Sequence, residues 1–138
     1  MATMPQSFHW PVRVYFEDTD SGGVVYYANY LKFFERARTE WLRAAGASQQ
    51  ALMEKHRIMF VVAGVALDYL APARLDDELG VTVTVERLGR ASVQFAQQAR
   101  RGDMLLANGS IRVVCVDSST MKPKPVPAEV LAKMRAQV

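Results

Sequence analysis

The sequence lacks the features by which several classes of protein are recognised. It contains one cysteine, Cys115, so no disulfide can form within the chain. That residue lies in the apolar run 111–117, which predicts a buried structural thiol rather than a nucleophile. The longest uninterrupted apolar run, residues 58–67, is roughly half of what a bilayer crossing needs. The first residues have no apolar stretch typical of a signal peptide, and we therefore expect a soluble cytoplasmic protein.

Motifs for metals, nucleotides and nucleic acids are scarce as well. The histidines are His9 and His56, and no Cys, His or Asp spacing resembles a zinc site, so we expect no metal. No glycine-rich motif of the kinds that hold nucleotide phosphates occurs. The net charge of +3 is too mild to predict a nucleic-acid surface, and it suits an anionic small molecule better.

What the sequence does have is the composition of one globular domain. With 138 residues, half of them apolar and 22% charged, the whole chain is expected to fold around a single core. Residues 8–17 alternate as a half-buried strand, with Val12, Val14 and Phe16 on one face. Pro11 predicts that this strand lies near an edge of a sheet.

A long amphipathic helix is predicted next, from about residue 25 or 28 to residue 45. Its apolar positions recur at helical spacing and predict a buried face: Tyr30, Phe34, Ala37 and Trp41. Its charged positions are predicted to face solvent, with an ion pair between Arg36 and Glu40: Glu35, Arg36, Arg38, Glu40 and Arg43. Gly46 stands where a C-terminal cap is expected, and Ser48 is a typical cap for a short second helix that reaches residue 56.

The second half of the chain has the pattern of a sheet. Strands are predicted at residues 58–69, 79–88, 91–100 and 104–116. Very short turns join the last three, which must therefore be antiparallel neighbours. A brief helix over residues 128–136 follows. Only one helix is large enough to cover a face of the sheet, so we predict an α+β fold in which about five antiparallel strands wrap around one long central helix.

The turn between the first strand and the long helix is the candidate for chemistry. It contains two acids, Asp18 and Asp20, followed by Gly22-Gly23. Such residues are typical of turns and helix caps, and spacing alone favours capping over catalysis. The alternative is a reaction centre, because unpaired amides at the start of a helix can stabilise negative charge on a carbonyl oxygen. The glycines would then let a substrate approach the backbone, with a carboxylate on the other side of its carbonyl group.

The residues around this turn are similar to a known family. Residues 12–43, VRVYFEDTDSGGVVYYANYLKFFERARTEWLR, resemble the signature of hot-dog-fold acyl-CoA thioesterases of the 4-hydroxybenzoyl-CoA thioesterase type, most specifically in the D-x-D-x-x-G-x-V-x-Y core at 18–27. Three later segments extend the resemblance over residues 8–127: DYLAPARLDDEL, GRASVQF and VVCVDSSTMKPKPVP. It is closest to the branch associated with the Tol-Pal cell-envelope system of Gram-negative bacteria.

The resemblance implies a hot-dog fold whose subunits join their sheets edge to edge in homodimers or homotetramers. It implies active sites at the subunit interface that hydrolyse acyl-CoA to a free acid and CoA, without a separate cofactor. Asp20 is implied as the catalytic carboxylate, acting as nucleophile or as general base, while Asp18 keeps a structural role. The backbone amide of Tyr27 is implied as the group that polarises the carbonyl. Members of the nearest branch commonly carry His where Tyr27 stands, whereas the 4-hydroxybenzoyl-CoA enzymes carry Tyr.

Substrate contacts are predicted in two places. The residues expected around the acyl group are Gly22, Gly23, Val24 and Tyr26. Nearby, Tyr30 is expected in the core and Asn29 in local hydrogen bonding. The CoA phosphates need basic partners, for which the candidates are Arg90 with Ser92 and Lys122 with Lys124. A solvated surface is the alternative for these four.

Two other functions are weighed against a thioesterase. A dehydratase acting on acyl-carrier-protein substrates uses a histidine with an acid, and neither His9 nor His56 is near the helix start in the sequence. A non-catalytic acyl-binding or protein-interaction module of the cell-envelope or lipid-synthesis machinery would not need Asp20 beside Gly22-Gly23. The leading hypothesis is therefore an acyl-CoA thioesterase, with acyl-CoA, and secondarily acyl carrier protein, as partners.

Overall fold

The computed structural model describes residues 8–138, so residues 1–7, which enter the signal-peptide prediction, lie outside the described part. Five strands form one antiparallel sheet of order β1-β3-β4-β5-β2. The strands are β1 Phe8–Arg13, β2 Ile58–Tyr69, β3 Glu78–Leu88, β4 Ser92–Arg101 and β5 Met104–Asp117. The predicted meander of the last three strands is confirmed, and β1 lies at an edge as Pro11 indicated.

One long helix and two short ones complete the fold. They are α1 Asn29–Ala44, α2 Gln49–Ala51 with a π-helical turn over Leu52–His56, and α3 Ala128–Arg135. Gly46 follows α1 with a φ of 90°, which explains why glycine ends this helix. The Ser48 hydroxyl accepts a hydrogen bond of 3.1 Å from the Ala51 amide, as its predicted capping role requires. Among the described residues, no helix has the length and apolarity to cross a bilayer.

The core lies between α1 and the sheet. The four predicted core positions of the helix, Tyr30, Phe34, Ala37 and Trp41, are all buried. Burial of each large side chain among them contributes about 1.5–3 kcal/mol. The ring of Trp41 meets that of Phe95 on β4 edge-on, at a centroid distance of 5.3 Å. Cys115 is buried as predicted, and this burial raises the pKa of its thiol. The predicted arrangement of five strands and one covering helix is confirmed.

The first strand is shorter than predicted. β1 ends at Arg13, and Phe16–Asp18 form a 3₁₀ turn instead of continuing the strand. Phe16 is 81% exposed and is therefore not on the buried face with Val12 and Val14. The chain leaves the sheet here because the Val14 amide bonds to the carbonyl of Asp77, in the loop before β3, rather than to a strand.

Two predictions for the charged positions of α1 are wrong. Arg38 is half-buried rather than solvated, and it donates a hydrogen bond of 2.8 Å to Gln97 on β4. Burial lowers the pKa of its guanidinium group, and the nearby charge of Glu35 only partly offsets this. Glu40 pairs with Arg43 rather than with Arg36. The face of α1 that contains Arg38 therefore belongs to the packed interior.

Candidate active site

Residues 18–26 form a narrow hairpin-like loop that leads into α1. Thr19 pairs with Val25 across the loop, in an antiparallel bridge. One step nearer the helix, the amide of Tyr26 donates a hydrogen bond of 3.0 Å to the carbonyl of Asp18. The turn that the sequence predicted is thus closed by its own backbone, which fixes the path of the chain into the helix.

Asp18 holds this loop from the inside. The residue is 6% exposed, and its Oδ2 atom accepts a hydrogen bond of 2.8 Å from the amide of Tyr15. Its carbonyl oxygen also accepts a hydrogen bond of 2.8 Å from Nδ2 of Asn29, the first residue of α1. The structural role predicted for Asp18 and the local hydrogen bonding predicted for Asn29 are both confirmed.

Asp20 lies at the exposed tip of the loop. Its Oδ1 atom accepts a hydrogen bond of 2.9 Å from the amide of Gly22, and its carbonyl accepts one of 3.0 Å from Gly23. Gly23 has a φ of 79°, a conformation that other residues adopt only with strain. Both glycine amides are therefore used inside the turn and do not serve as free donors. Within residues 8–138 the Oδ2 atom of Asp20 accepts no hydrogen bond, so this carboxylate combines a turn-capping role with an oxygen open to a ligand.

Free amides lie just after this loop. α1 begins at Asn29, so Tyr27 precedes the helix by two residues. The Asn29 amide donates to the carbonyl of Tyr26 at 2.8 Å, whereas the amides of Tyr27 and Ala28 donate no hydrogen bond within the described part of the chain. Unpaired amides at the positive end of a helix dipole favour negative charge on a nearby oxygen. One of them, the amide of Tyr27, is the group to which the resemblance assigns the carbonyl-polarising role.

A cavity of about 300 Å³ contains Tyr27 in its wall. It is lined by Val25, Tyr27, Tyr30, Tyr69, Leu70, Ala71 and Pro72. Tyr30 is buried, as predicted for a core residue, while Tyr27 is exposed on the wall. Asp20, Val24 and Tyr26 are not among the lining residues. A ligand in this cavity would contact Tyr27, whereas the predicted contacts to Val24 and Tyr26 lie outside its lining.

The segment between β2 and β3 braces the loop from outside. The Val25 amide donates to the carbonyl of Ala73 at 2.8 Å, and the neighbouring Arg74 forms an antiparallel bridge with the loop. Asp77 accepts hydrogen bonds from the Arg74 amide at 2.9 Å and from the guanidinium of Arg101 at 2.7 Å. From the sequence this segment is predicted only as an interruption between strands, because its contacts with the loop join residues far apart in the chain.

Arg90 and Ser92 lie at the other end of the sheet from this loop. β3 runs away from the loop for 11 residues, a length of about 33 Å, and these two residues come after its far end. Arg90 is exposed, and its carbonyl accepts a hydrogen bond of 2.9 Å from the Val126 amide. Within one chain, the structure therefore does not bring Arg90 and Ser92 together with Asp20.

Lys122 and Lys124 lie at the same far end, beyond β5. Lys124 is 3.7 Å from the Asp117 carboxylate and donates a hydrogen bond of 3.3 Å to the carbonyl of His56. Lys122 is exposed. The four predicted CoA contacts thus cluster with one another and stand apart from the acyl site of their own chain.

Metal ligands are not clustered in the part of the chain that the structure describes. Residues 8–138 contain no group of three His, Cys, Asp or Glu side chains that could hold an ion. His9 is on the edge strand β1, and His56 lies at the far end of the sheet with Lys124. Neither histidine lines the cavity beside Tyr27.

Comparison with known proteins identifies relatives of this chain. The family model of the thioesterase-like superfamily matches residues 14–134. An acyl-CoA thioesterase YbgC from Haemophilus influenzae is 47% identical over 129 residues, covering 94% of this chain and 95% of the relative. A 1,4-dihydroxy-2-naphthoyl-CoA hydrolase from Nostoc punctiforme is 26% identical over 125 residues, covering 91% of this chain and 84% of the relative.

The structural comparison agrees with the sequence comparison. The crystal structure of a probable thioesterase from Bartonella henselae superimposes with a TM-score of 0.85 at 32% identity, covering 88% of this chain and all of that one. The family match spans the hairpin-like loop, α1 and the whole meander. The hot-dog fold expected from the resemblance is thereby confirmed, and the chain belongs to the thioesterase-like superfamily.

Proposed function

We propose that this chain hydrolyses acyl-CoA thioesters to a free acid and CoA, with Asp20 and the amide of Tyr27 on opposite sides of the reacting carbonyl. The observation that carries the proposal is the pair of free amides at Tyr27 and Ala28, which follow the loop that exposes the Asp20 carboxylate, together with the cavity that Tyr27 lines. The named activity of the 47% identical relative supports the choice of an acyl-CoA substrate.

The chemistry follows from what each group can do. As an oxygen nucleophile attacks the thioester carbon, negative charge develops on the carbonyl oxygen, and the Tyr27 amide stabilises it by donating a hydrogen bond. Asp20 either attacks directly, giving a mixed anhydride that water then cleaves, or removes a proton from the attacking water. Both routes require the carboxylate to be ionised, and both release CoA as the thiol. No cofactor takes part in either route.

A second copy of the chain completes the site in this proposal. β2 is an exposed edge strand of 12 residues, and its Val62 and Val65 side chains are 50% and 46% exposed. A long apolar edge of this kind favours pairing with another strand. Antiparallel pairing of two β2 strands would bring the far end of one sheet toward the loop end of the other. Arg90, Ser92, Lys122 and Lys124 of one copy would then meet the CoA phosphates at the Tyr27 site of its partner.

The cellular setting is part of the same proposal. Acyl-CoA thioesters are made and consumed in the cytoplasm, so the reaction is placed there, with acyl carrier protein as an alternative carrier of the same thioester. The resemblance of residues 12–43 supports an association with the Tol-Pal system and a homotetramer built from the β2-paired dimers. Light scattering of the purified protein tests the assembly, since an active monomer would contradict an interfacial site.

Hydrolysis of a panel of acyl-CoA and acyl-carrier-protein thioesters tests the activity. We expect turnover of at least one thioester, reduced about a hundredfold or more in Asp20→Asn, while circular dichroism stays unchanged. The matched control is Asp103→Asn, the same substitution at an exposed turn between β4 and β5, which should retain parental activity. An Asp20→Asn variant as active as the parent would remove Asp20 from the mechanism. No turnover on any member of the panel would favour the acyl-binding module instead.

A further inference from the structure

Tyr69, the last residue of β2, reaches across to the backbone of Tyr27. Its hydroxyl donates a hydrogen bond of 2.9 Å to the Tyr27 carbonyl, joining residues that are 42 positions apart. Its ring also packs edge-on against the rings of Tyr27 and Tyr30, at centroid distances of 6.1 and 5.4 Å. Because Tyr30 is buried in the core, these contacts hold the Tyr69 ring against a rigid part of the fold.

This bond completes a set of restraints on the two free amides. A peptide group is planar, so fixing its carbonyl also fixes the direction of its N–H. The Tyr27 amide shares a peptide plane with the Tyr26 carbonyl, which accepts a hydrogen bond from the Asn29 amide. The Ala28 amide shares a plane with the Tyr27 carbonyl, which Tyr69 holds. The hydrogen bond from Asn29 therefore orients the free amide of Tyr27, and the hydrogen bond from Tyr69 orients the free amide of Ala28.

We propose that Tyr69 is a positioning residue for thioester hydrolysis, which fixes the Tyr27–Ala28 peptide so that the free amide of Ala28 faces the developing oxyanion beside that of Tyr27. The inference rests on the proposed function, because that function gives these amides their charge-stabilising role. Donors that are already oriented before reaction need no reorganisation as charge develops, and this is where their catalytic effect arises. Burial and the neighbouring Tyr27 raise the pKa of the Tyr69 phenol, so it keeps its proton, and remains a donor, at neutral pH.

The test is Tyr69→Phe, which removes the hydroxyl and keeps the ring. Because the lost bond aims the Ala28 amide, a donor that acts mainly in the transition state, kcat should fall while KM stays within about twofold. The expected fall is roughly fivefold to tenfold, the effect of one hydrogen bond. The matched control is Tyr15→Phe, because the exposed Tyr15 hydroxyl makes no hydrogen bond within residues 8–138 and Tyr15 does not line the cavity beside Tyr27. Both of its kinetic constants should equal those of the parent.

A second measurement reports on the peptide itself. NMR order parameters of the Tyr27 and Ala28 N–H groups should be near the rigid value of about 0.85 in the parent, and that of Ala28, whose peptide loses the bond, should fall toward about 0.6 in Tyr69→Phe. They should not change in Tyr15→Phe. Unchanged order parameters, an unchanged kcat, or a rise in KM that accounts for the whole loss of kcat/KM would each overturn the positioning role.

Asp20→Asn assayed alongside separates this inference from the proposed function. If Asp20→Asn is inactive and Tyr69→Phe turns over like the parent, the positioning role fails and the proposed function stands. If Asp20→Asn is as active as the parent, the proposed role of Asp20 fails, and if the parent turns over no thioester of the panel, the proposed function itself fails. A loss in both variants, with KM unchanged in Tyr69→Phe, supports both.

Discussion

The guanidinium of Arg38 donates a hydrogen bond of 2.8 Å to Oε1 of Gln97, a side chain that is completely buried between α1 and the sheet. The amide nitrogen of Gln97 in turn donates to the carbonyls of Phe34 at 3.0 Å and Thr82 at 3.3 Å. This single side chain therefore ties the backbone of α1 to β3 and gives a half-buried cation its hydrogen-bond partner. Gln97 thereby helps to fix the position of α1 on the sheet. The free amides at the start of α1 depend on that position.

Replacing Gln97 with Leu should destabilise the protein by about 2–4 kcal/mol. The substitution leaves the half-buried Arg38 without its acceptor and removes both hydrogen bonds that the Gln97 amide nitrogen donates, and an unpaired buried charge is costly. Urea unfolding at a fixed protein concentration measures the effect. The double variant Arg38→Met with Gln97→Leu should recover part of the loss, because removing both partners leaves no unpaired charge. If the double variant lost more unfolding free energy than the two single variants lose together, this explanation would be contradicted.

Gly109 should not tolerate even a methyl group. A Cβ at this position would lie 2.5 Å from Cδ2 of Leu67 and 2.9 Å from Cε2 of Phe34, so these packed side chains would have to shift. We expect Gly109→Ala to lower the free energy of unfolding by about 1–3 kcal/mol. Gly80→Ala is the control, because its new Cβ would meet nothing within 4 Å, and its stability should stay within about 0.5 kcal/mol of the parent. Equal effects of the two substitutions would show that α1 does not pack closely on β5 at Gly109.

Gly23→Ala should affect activity more than stability. Gly23 has a φ of 79° and open space where a Cβ would be, so an alanine there meets backbone strain of about 1–2 kcal/mol but no clash. Relief of that strain would shift the turn that holds Asp20, and we expect kcat to fall about tenfold or more. Gly102→Ala is matched in both respects, with a φ of 60° and open space, but lies in the β4–β5 turn. It should lose similar stability and no activity; a Gly23→Ala variant with parental kcat would contradict the role of this turn.

The ion pair between Asp77 and Arg101 should weaken in acid. Burial raises the pKa of the Asp77 carboxyl, but hydrogen bonds from the Arg74 amide and the Arg101 guanidinium outweigh it and leave the pKa below its ordinary value. A carboxyl with a lowered folded-state pKa stabilises the fold above its unfolded pKa, and this contribution is lost as pH falls through the folded value. A double-mutant cycle of Asp77→Asn and Arg101→Gln should therefore give a favourable coupling, of at most about 1 kcal/mol, at about pH 6. The coupling should shrink once the pH drops below about 4. A coupling that grows on acidification would contradict this assignment.

The sequence predicted the fold because its local patterns agree with one another. Helical spacing of apolar residues around Phe34, strand alternation after Leu79 and the cap at Gly46 each depend on near neighbours, and each is confirmed. The acid-glycine turn could also be located, although its catalytic reading needed the resemblance to a family. Spacing alone favoured a capping role for Asp20, and its carboxylate does cap the turn.

The features that sequence analysis missed depend on residues far apart in the chain. Arg38 is on a face of α1 that has charged neighbours, and only Gln97, 59 residues away, makes that position part of the interior. Tyr69 ends a strand whose sequence pattern is ordinary. Only the tertiary fold brings its hydroxyl to the carbonyl of Tyr27, 42 residues earlier. Alternation predicted that Phe16 is buried, but the chain leaves the sheet where the Val14 amide bonds to Asp77 in the loop before β3. Hydrophobic periodicity contains no information on such contacts.

The most direct test of the opposed carboxylate and amide is a crystal structure of Asp20→Asn with the intact acyl-CoA that the parent hydrolyses fastest. The account predicts the thioester carbonyl oxygen at about 3 Å from the backbone nitrogen of Tyr27, with the side chain at position 20 on the other side of the carbonyl carbon. It would be contradicted by an acyl group bound instead in the separate cavity of about 310 Å³ that Arg38 and Trp41 help to line, with the Tyr27 amide left free.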